Sequence, residues 1–323
     1  MPTSAASHPA WPELPYAAWR DSAQTLHLWL QVVGKLRLAL TPWVNHGWNV
    51  PLYVNSRGVG TSPMGLPDGR LLEVDFDFVR HALLLRCSDG ADRGFPLAPM
   101  TVAEFHRRFI AELRALGVQA TPHALPSELP DPIAFAQDER PRDYDAARVH
   151  DYWRALVQVD RVMRIFRSGF LGKCSPVHLF WGAMDLAVTR FSGRDAPAHP
   201  GGIPGLPDAV TREAYSHEVS SAGFWPGSDA YPQAAFYSYA YPSPAGFDKA
   251  EVGPAGAEWS SAFGEWLLPY DAVLQSPDPD AALLAFFASS YRAAAQLAHW
   301  DPGLACSYGE AGRPRIVHGD KSP

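Results

Sequence analysis

Apolar positions in this chain recur at helical spacing in some stretches and at every second residue in others. From 22 to 40, the stripe Leu26, Leu30, Val33, Leu36 and Leu40 predicts a helix, with Asp21 or Ser22 as its cap and Pro42 beyond its end. A second line on that helix, His27, Gln31 and Lys35, is polar and lies on a different face. It reads either as a solvent face or as one wall of a cleft with Asn45 and His46 at its rim. Alternation then predicts strands at Val50–Asn55, Leu71–Phe78 and Ala82–Cys87, separated by Arg-Gly, Pro-Asp-Gly and Ser-Asp-Gly breaks. Helical spacing returns over Val102–Leu116 and stops at Gly117.

Residues 125–145 are rich in proline and acid and read as a linker. A second helix follows over Ala146–Arg167, then one or two strands within Ser175–Phe191, broken near Trp181-Gly182. Residues 192–208 hold too much proline and glycine for regular structure, and long ordered loops are often functional. Tyr215–Ala222 and Ala235–Tyr241 read as strands, and Asp280–Ala298 as a closing helix.

This order states one unit twice. Trp29–Tyr53 moved forward by 127 positions lands without a gap on Leu156–Phe180. Gln31 falls on Gln158, Val32 on Val159, Arg37 on Arg164, Val50 on Val177 and Leu52 on Leu179. The expected fold is α+β, with two tandem helix–antiparallel sheet–helix units related by a pseudo-two-fold. Its parts are an N-terminal extension (1–20), a first unit (21–124), the linker (125–145), a second unit with its long loop (146–300) and a tail (301–323), the last polar and frayed from Cys306 onward. The copies differ where chemistry would differ: His178 stands in place of Pro51, and Lys173 in place of His46.

Composition narrows the field. At 323 residues and 47% hydrophobic, the chain can bury one large core or two ordinary ones. A net charge of -7 with scattered Lys and Arg argues against nucleic acid or an anionic membrane as partner. No stretch approaches the roughly 20 apolar residues of a membrane span, and no export leader is visible at the N-terminus. Cys87, Cys174 and Cys306 are isolated, which fits reduced thiols in the cytoplasm.

Strand alternation puts Val177, Leu179 and Trp181 on one face and Pro176, His178 and Phe180 on the other. The Val/Leu face is expected under the helix, which leaves His178 facing the other unit or a ligand. In Glu213–Trp225 a regular strand separates His217 from Glu218. The row Ser216, Glu218 and Ser220 is then either solvated or the lining of a pocket flanked by Tyr215, Phe224 and Trp225. Asp185 and Arg190 alternate to opposite faces. Cys174 follows Lys173, whose ammonium would favour a thiolate; the alternative is an inert small hydrophobe. A phosphate loop, a GxSxG elbow and HExxH are all missing, so no nucleotide cofactor is expected. A metal set such as His178, His199 and Glu218 is left open by spacing.

The stretches QVVGKLRLAL, HGWNVPLYV, GKCSPVHLFWGAMDLAVTRFSGR and EAYSHEVSSAGFWPG together resemble the bacterial domain-of-unknown-function family 5996, from about Trp11 to Trp300. The resemblance implies no assigned reaction, substrate or cofactor. From the residues, the leading expectation is a cytoplasmic enzyme of hydrolase- or lyase-like acid–base chemistry on a small molecule, in a cleft between the units. His178 would move the proton, with Glu218 or His217 beside it, Asp185 setting the imidazole, and Lys173 or Arg190 holding an anionic group. The alternative is a non-catalytic binding module whose contacts are Trp48, Phe180, Trp181 and Trp225.

Overall fold

The computed structural model describes residues 10–308 and 314–315. Residues 1–9 of the expected extension, and 309–313 and 316–323 of the expected frayed tail, lie outside the described residues. The first half runs α1 (Tyr16–Leu40), β1 (Tyr53–Asn55), β2 (Gly58–Gly60), β3 (Met64–Gly65), β4 (Leu71–Asp77), β5 (Ala82–Cys87), β6 (Asp92–Pro96) and α2 (Val102–Ala115). The second runs α3 (Ala146–Ser168), β7 (His178–Phe180), β8 (Asp185–Asp195), α4 (Asp208–Ala214), β9 (His217–Trp225), β10 (Ala235–Tyr241), β11 (Glu258–Ser260), β12 (Glu265–Pro269), α5 (Tyr270–Leu274) and α6 (Pro279–Leu297).

Two open, six-stranded antiparallel sheets result, each flanked by helices, beside a two-stranded pair of Ser307–Tyr308 with Pro314–Arg315. The first has the order β1-β2-β4-β5-β6, with β3 also on β4; the second has the order β7-β8-β9-β10-β12-β11. Their inner edges meet at one bridge, where Leu52 N–H donates to Leu179 O (2.9 Å) and Leu179 N–H to Leu52 O (3.0 Å). Both leucines are fully buried. α3 touches α1, α6, β1 and β8, so it lies across both sheets, and one hydrophobic core is continuous through both halves.

Each helix has a local cause. Thr101 accepts from Glu104 N–H at the start of α2, Asp145 from Ala147 and Arg148 N–H at α3, and Asp278 from Ala281 N–H at α6. α1 differs from its sequence reading: it begins at Tyr16 after Pro15 with no side-chain cap. The expected cap, Ser22, is buried inside the helix, and its hydroxyl accepts from Asp145 N–H at 2.7 Å. A serine that looked like a helix start therefore ties α1 to the start of α3.

The second unit departs from its reading in three places. β8 continues to Asp195 through a bulge after Phe191; 208–214 is helical; and β9 begins at His217 and runs to Trp225. The bulge inserts extra residues without ending the pairing, which simple alternation cannot foresee. Residues 125–145 carry buried Phe135 and Asp138, the latter paired with Arg140 and Arg142. All three cysteines are free thiols.

Trp181 wedges the two units together. Its Nε1 donates to Val50 O at 2.9 Å, and its ring lies on Gly34 of α1, where a Cβ would collide with it. Gly34→Ala gains about 1 kcal/mol of helix propensity but overpacks this contact, at a cost of about 1–3 kcal/mol. Chemical denaturation should find the variant less stable than the parent; a more stable variant would contradict the wedge.

Candidate functional site

The turn that joins β7 to β8, Trp181–Met184, is the base of the site. The polar stripe on α1 grips it. His27 Nε2 donates to Gly182 O at 2.7 Å, and Gln31 makes a two-way clamp on Ser127, accepting its N–H at 2.7 Å and donating to its carbonyl at 3.0 Å. Lys35 Nζ donates to Ser127 Oγ at 2.6 Å and stands 5.2 Å from the Trp181 ring centroid. Gln31 is fully buried and Lys35 nearly so. The stripe is thus neither a solvent face nor a bare cleft wall; it holds the 127–128 segment against the second sheet.

What it delivers is Glu128. This residue adopts φ 58°, uncommon for a side-chain-bearing residue. Its carboxylate lies over Gly182, where any Cβ would collide with it. Gly205 of the long loop closes onto the Glu128–Leu129 backbone, where a Cβ would lie only 3.0 Å from Glu128 N.

Beside Glu128, the sheet face that carries Asp185 is studded with hydroxyls. Asp185, Ala187 and Thr189 on β8 share that face with Ser221 and Gly223 on β9 and Tyr237 and Tyr239 on β10. Tyr237 O–H donates to the Asp185 carboxylate, and its ring occupies the space over Gly223 that a Cβ would fill. Tyr215 and Tyr239 hydroxyls are 2.8 Å apart, and Thr189 and Ser221 hydroxyls 2.9 Å. His199 of the loop stacks on Tyr215 at 4.8 Å. Asp185, Glu128, Glu265, Tyr215, Tyr237 and Tyr239 are all half-buried.

Burial moves the acids of this face toward neutrality. Asp185 is pushed up to about 6 by desolvation, against the Tyr237 hydrogen bond that holds it down. Glu128 rises to about 7 through desolvation and then the Asp185 charge, opposed by Lys35; Glu265 rises to about 7 for the same two causes, with no cation opposing. Tyr237 and Tyr239 are raised by burial.

The residues nominated from sequence are distributed over three places. Asp185 lies in the cluster just described. Arg190 does not: it is 2% exposed on the helix side of the sheet, its guanidinium 3.6 Å from the Phe166 ring centroid and 4.3 Å from that of Tyr291. It is buried under α3 and α6 and is not placed to hold a substrate anion. Glu218 also faces that side. It accepts from Ser192 Oγ (2.8 Å) and Arg194 Nη2 (2.7 Å), and Arg194 in turn donates to Ala298 O at the end of α6. His178 and Glu218 therefore do not converge.

His178, Lys173 and His217 gather instead at the junction of the units. His178 is 1% exposed, boxed edge-on by Trp48, Tyr53 and Phe180 at 5.4–5.8 Å between ring centroids. It does face the other unit, as alternation required. Neither ring nitrogen has a hydrogen-bond partner among the described residues, and burial, then the charges of Arg37 and Arg167, pushes it down to about 3. A base that weak and that enclosed is a poor proton carrier at neutral pH. His217 lies 3.4 Å from Asp195 and edge-on to His46. Burial raises the Cys174 thiol, which favours the inert reading of that residue.

Glu128, Glu265, Tyr237 and Tyr239 are not among the residues nominated from sequence. The alternating tyrosines of Ala235–Tyr241 were a usable signal, since 237, 239 and 241 fall on one face. Nothing in the sequence marks Glu128, which lies in the supposed linker, or Glu265, which opens a strand not foreseen. Among the described residues, no group of three or more His, Cys, Asp or Glu side chains is arranged to hold a metal ion, and His178, His199 and Glu218 lie apart. A cavity of about 510 Å³ beside β1 and α3 is lined by Asn55, Trp153, Arg154 and Asp160, but Trp153 already donates to Asn55 O and the two charged residues pair along α3. It carries no comparable chemistry.

Fold and site together define an α+β protein with two open, helix-flanked antiparallel sheets, and no helix among the described residues is long and apolar enough to cross a membrane. The chain belongs to the family of unknown function DUF5996, which it matches over residues 11–306. No curated protein and no solved structure matches it.

The Gln31 clamp can be tested by itself. Gln31→Leu keeps the volume but strands the buried Ser127 N–H and carbonyl, each costing about 1–3 kcal/mol. Urea denaturation should report a loss on that scale; a loss under about 0.5 kcal/mol, the size of an ordinary surface substitution, would mean that the clamp does not hold the segment.

Proposed function

We propose that this protein is an enzyme of acid–base chemistry, hydrolase- or lyase-like, acting on a small polar molecule over the Asp185 face of the second sheet. The observation that carries the reading is the grouping of Asp185, Glu128 and Glu265, three half-buried acids moved to about 6, 7 and 7 on a face of tyrosine hydroxyls. Each keeps some surface open to solvent while protein desolvates it, as in a group set into a concavity. When Asp185 ionises, its charge disfavours ionisation of the other two, so near neutrality a carboxylate base stands beside a protonated acid. Asp185, held by Tyr237, takes the base role; Glu128 or Glu265 gives the proton. The 192–208 loop, touching Glu128 through Gly205, forms the roof. His178 is a packed neutral ring in this reading, which departs from the role its position suggested.

A pseudo-two-fold between the units is part of the same proposal. A residue on a two-fold axis meets its own counterpart. Leu52 bridges Leu179, and His46 contacts Lys173, each pair 127 positions apart. The second unit alone carries Asp185, so one copy keeps the frame and the other bears the chemistry.

The second reading, a non-catalytic binding module, is favoured by the ring cluster of Trp225, Tyr231 and Phe263, the last 46% exposed. A thermal-shift screen of small polar compounds, followed by product analysis on the hits, separates the two. Asp185→Asn should still bind a hit and lose its turnover; binding with no turnover even in the parent would favour the module.

The acids also predict a pH signature. Each folded midpoint lies above the unfolded one, so the folded protein binds more protons between them, and stability falls as pH rises from about 4 through about 7. Asp185→Asn removes one such group. Its melting temperature should exceed the parent's by more at pH 8 than at pH 4; a difference independent of pH would contradict the burial of an ionised Asp185.

A further inference from the structure

We propose that Lys173 and His46 form a second, separate reactive site at the junction of the units, which captures a small apolar aldehyde as an imine. The geometry is specific. Lys173 Nζ stands 2.6 Å from His46 Nε2, and His46 Nδ1 is 3.2 Å from the Ala214 carbonyl. A carbonyl only accepts, so Nδ1 carries the ring hydrogen and Nε2 turns its lone pair to the lysine. His46 is 5% exposed and takes φ 64°, with its backbone N–H held by Glu213 Oε1 at 2.6 Å. A side-chain-bearing residue kept in that region by a carboxylate clamp is a sign of function.

The lysine has the surroundings of a nucleophilic amine. Its Nζ is 5.1 Å from the Trp48 ring centroid and 5.0 Å from that of Phe191, and it makes no ion pair among the described residues. Desolvation lowers its protonation midpoint, against the Glu213 charge, which raises it; burial and then the Lys173 charge lower that of His46. An amine is activated in this way by apolar walls and an adjacent base. Lys173 is nonetheless exposed, so a ligand can reach it. The half-buried Trp48 ring beside the amine favours an apolar aldehyde body.

The step balances. His46 Nε2 takes one proton from the Lys173 ammonium; the freed amine attacks the carbonyl carbon, and the nitrogen passes a proton to the oxygen. The imidazolium then returns its proton to the departing hydroxyl. The C–N double bond forms as the C–O bond breaks and water leaves, so ammonium plus aldehyde gives protonated imine plus water. No oxidant or reductant is required. Positions 46 and 173 are counterparts in the two copies, so base and amine arise from one ancestral position meeting itself. The site shares no residue with the Asp185 face, and either can fail without the other.

The chain has four lysines, at 35, 173, 249 and 321, which makes the test clean. The full chain is incubated with benzaldehyde and sodium cyanoborohydride at neutral pH, and peptide mass spectrometry follows labelling at each lysine. Lys249, also exposed, is the internal reference, and Lys35 is 6% exposed. Lys173 should be labelled about tenfold faster than Lys249. His46→Asn, which tolerates the left-handed backbone, should bring Lys173 down to the Lys249 rate with little change in melting temperature. Equal rates at the two lysines in the parent, or an unchanged Lys173 rate in a folded His46→Asn protein, would overturn the proposal. If that variant does not fold, the ratio in the parent decides.

Discussion

Two main-chain hydrogen bonds between Leu52 and Leu179 set the geometry from which the rest follows. They join the inner edges of two sheets that would otherwise each present an unpaired strand to solvent. They also fix register, because a slip of one residue would turn every side chain of β7 to the other face. With the register set, His178 meets Tyr53 and Trp48, Trp181 reaches Gly34 and the Val50 carbonyl, and the next turn brings Gly182 beneath Glu128. Asp185 follows one residue after that turn. Structure and candidate chemistry are thus coupled within a few residues of chain.

The polar contacts divide by purpose. Gln31 and His27 satisfy buried backbone groups, Arg190 spreads its charge over aromatic rings, and Glu218 closes the end of α6 through Arg194. Each of these residues has a partner, Arg190 including the Phe166 carbonyl. The acids of the Asp185 face lack compensating charge: Glu265 faces the Asp185 charge with no cation opposing, and Glu128 has Lys35 alone. Burying like charges together opposes folding, so their grouping points to a role outside stability. His178 differs again, costly through two nitrogens without a hydrogen-bond partner among the described residues, yet held neutral by burial.

Much of the frame was legible from periodicity. α2, α3 and α6 lie within a residue or two of their apolar stripes, and Leu52 and Leu179, matched at an offset of 127, bridge each other. Alternation correctly set Asp185 and Arg190 on opposite faces and turned His178 to the first unit. It failed where partners are distant in sequence. Glu128 is placed by a clamp on Ser127 from Gln31, 96 positions away, and no local pattern encodes that. Glu218 looked available because Arg194, its partner, lies within a bulge that alternation does not foresee. The motif reading gave weight to histidines, whereas the acids gather around tyrosines whose alternation also fits an ordinary strand.

The proposed function requires a set of acids poised near neutrality on the Asp185 face. Carboxyl carbon-13 NMR, followed from pH 3 to pH 9, observes it directly. Three Asp and Glu carboxyls should titrate with midpoints at about 6, 7 and 7, and the two glutamate midpoints should fall when Asp185 is replaced by Asn. Titration of every carboxyl below about 5, within the ordinary range, would contradict it.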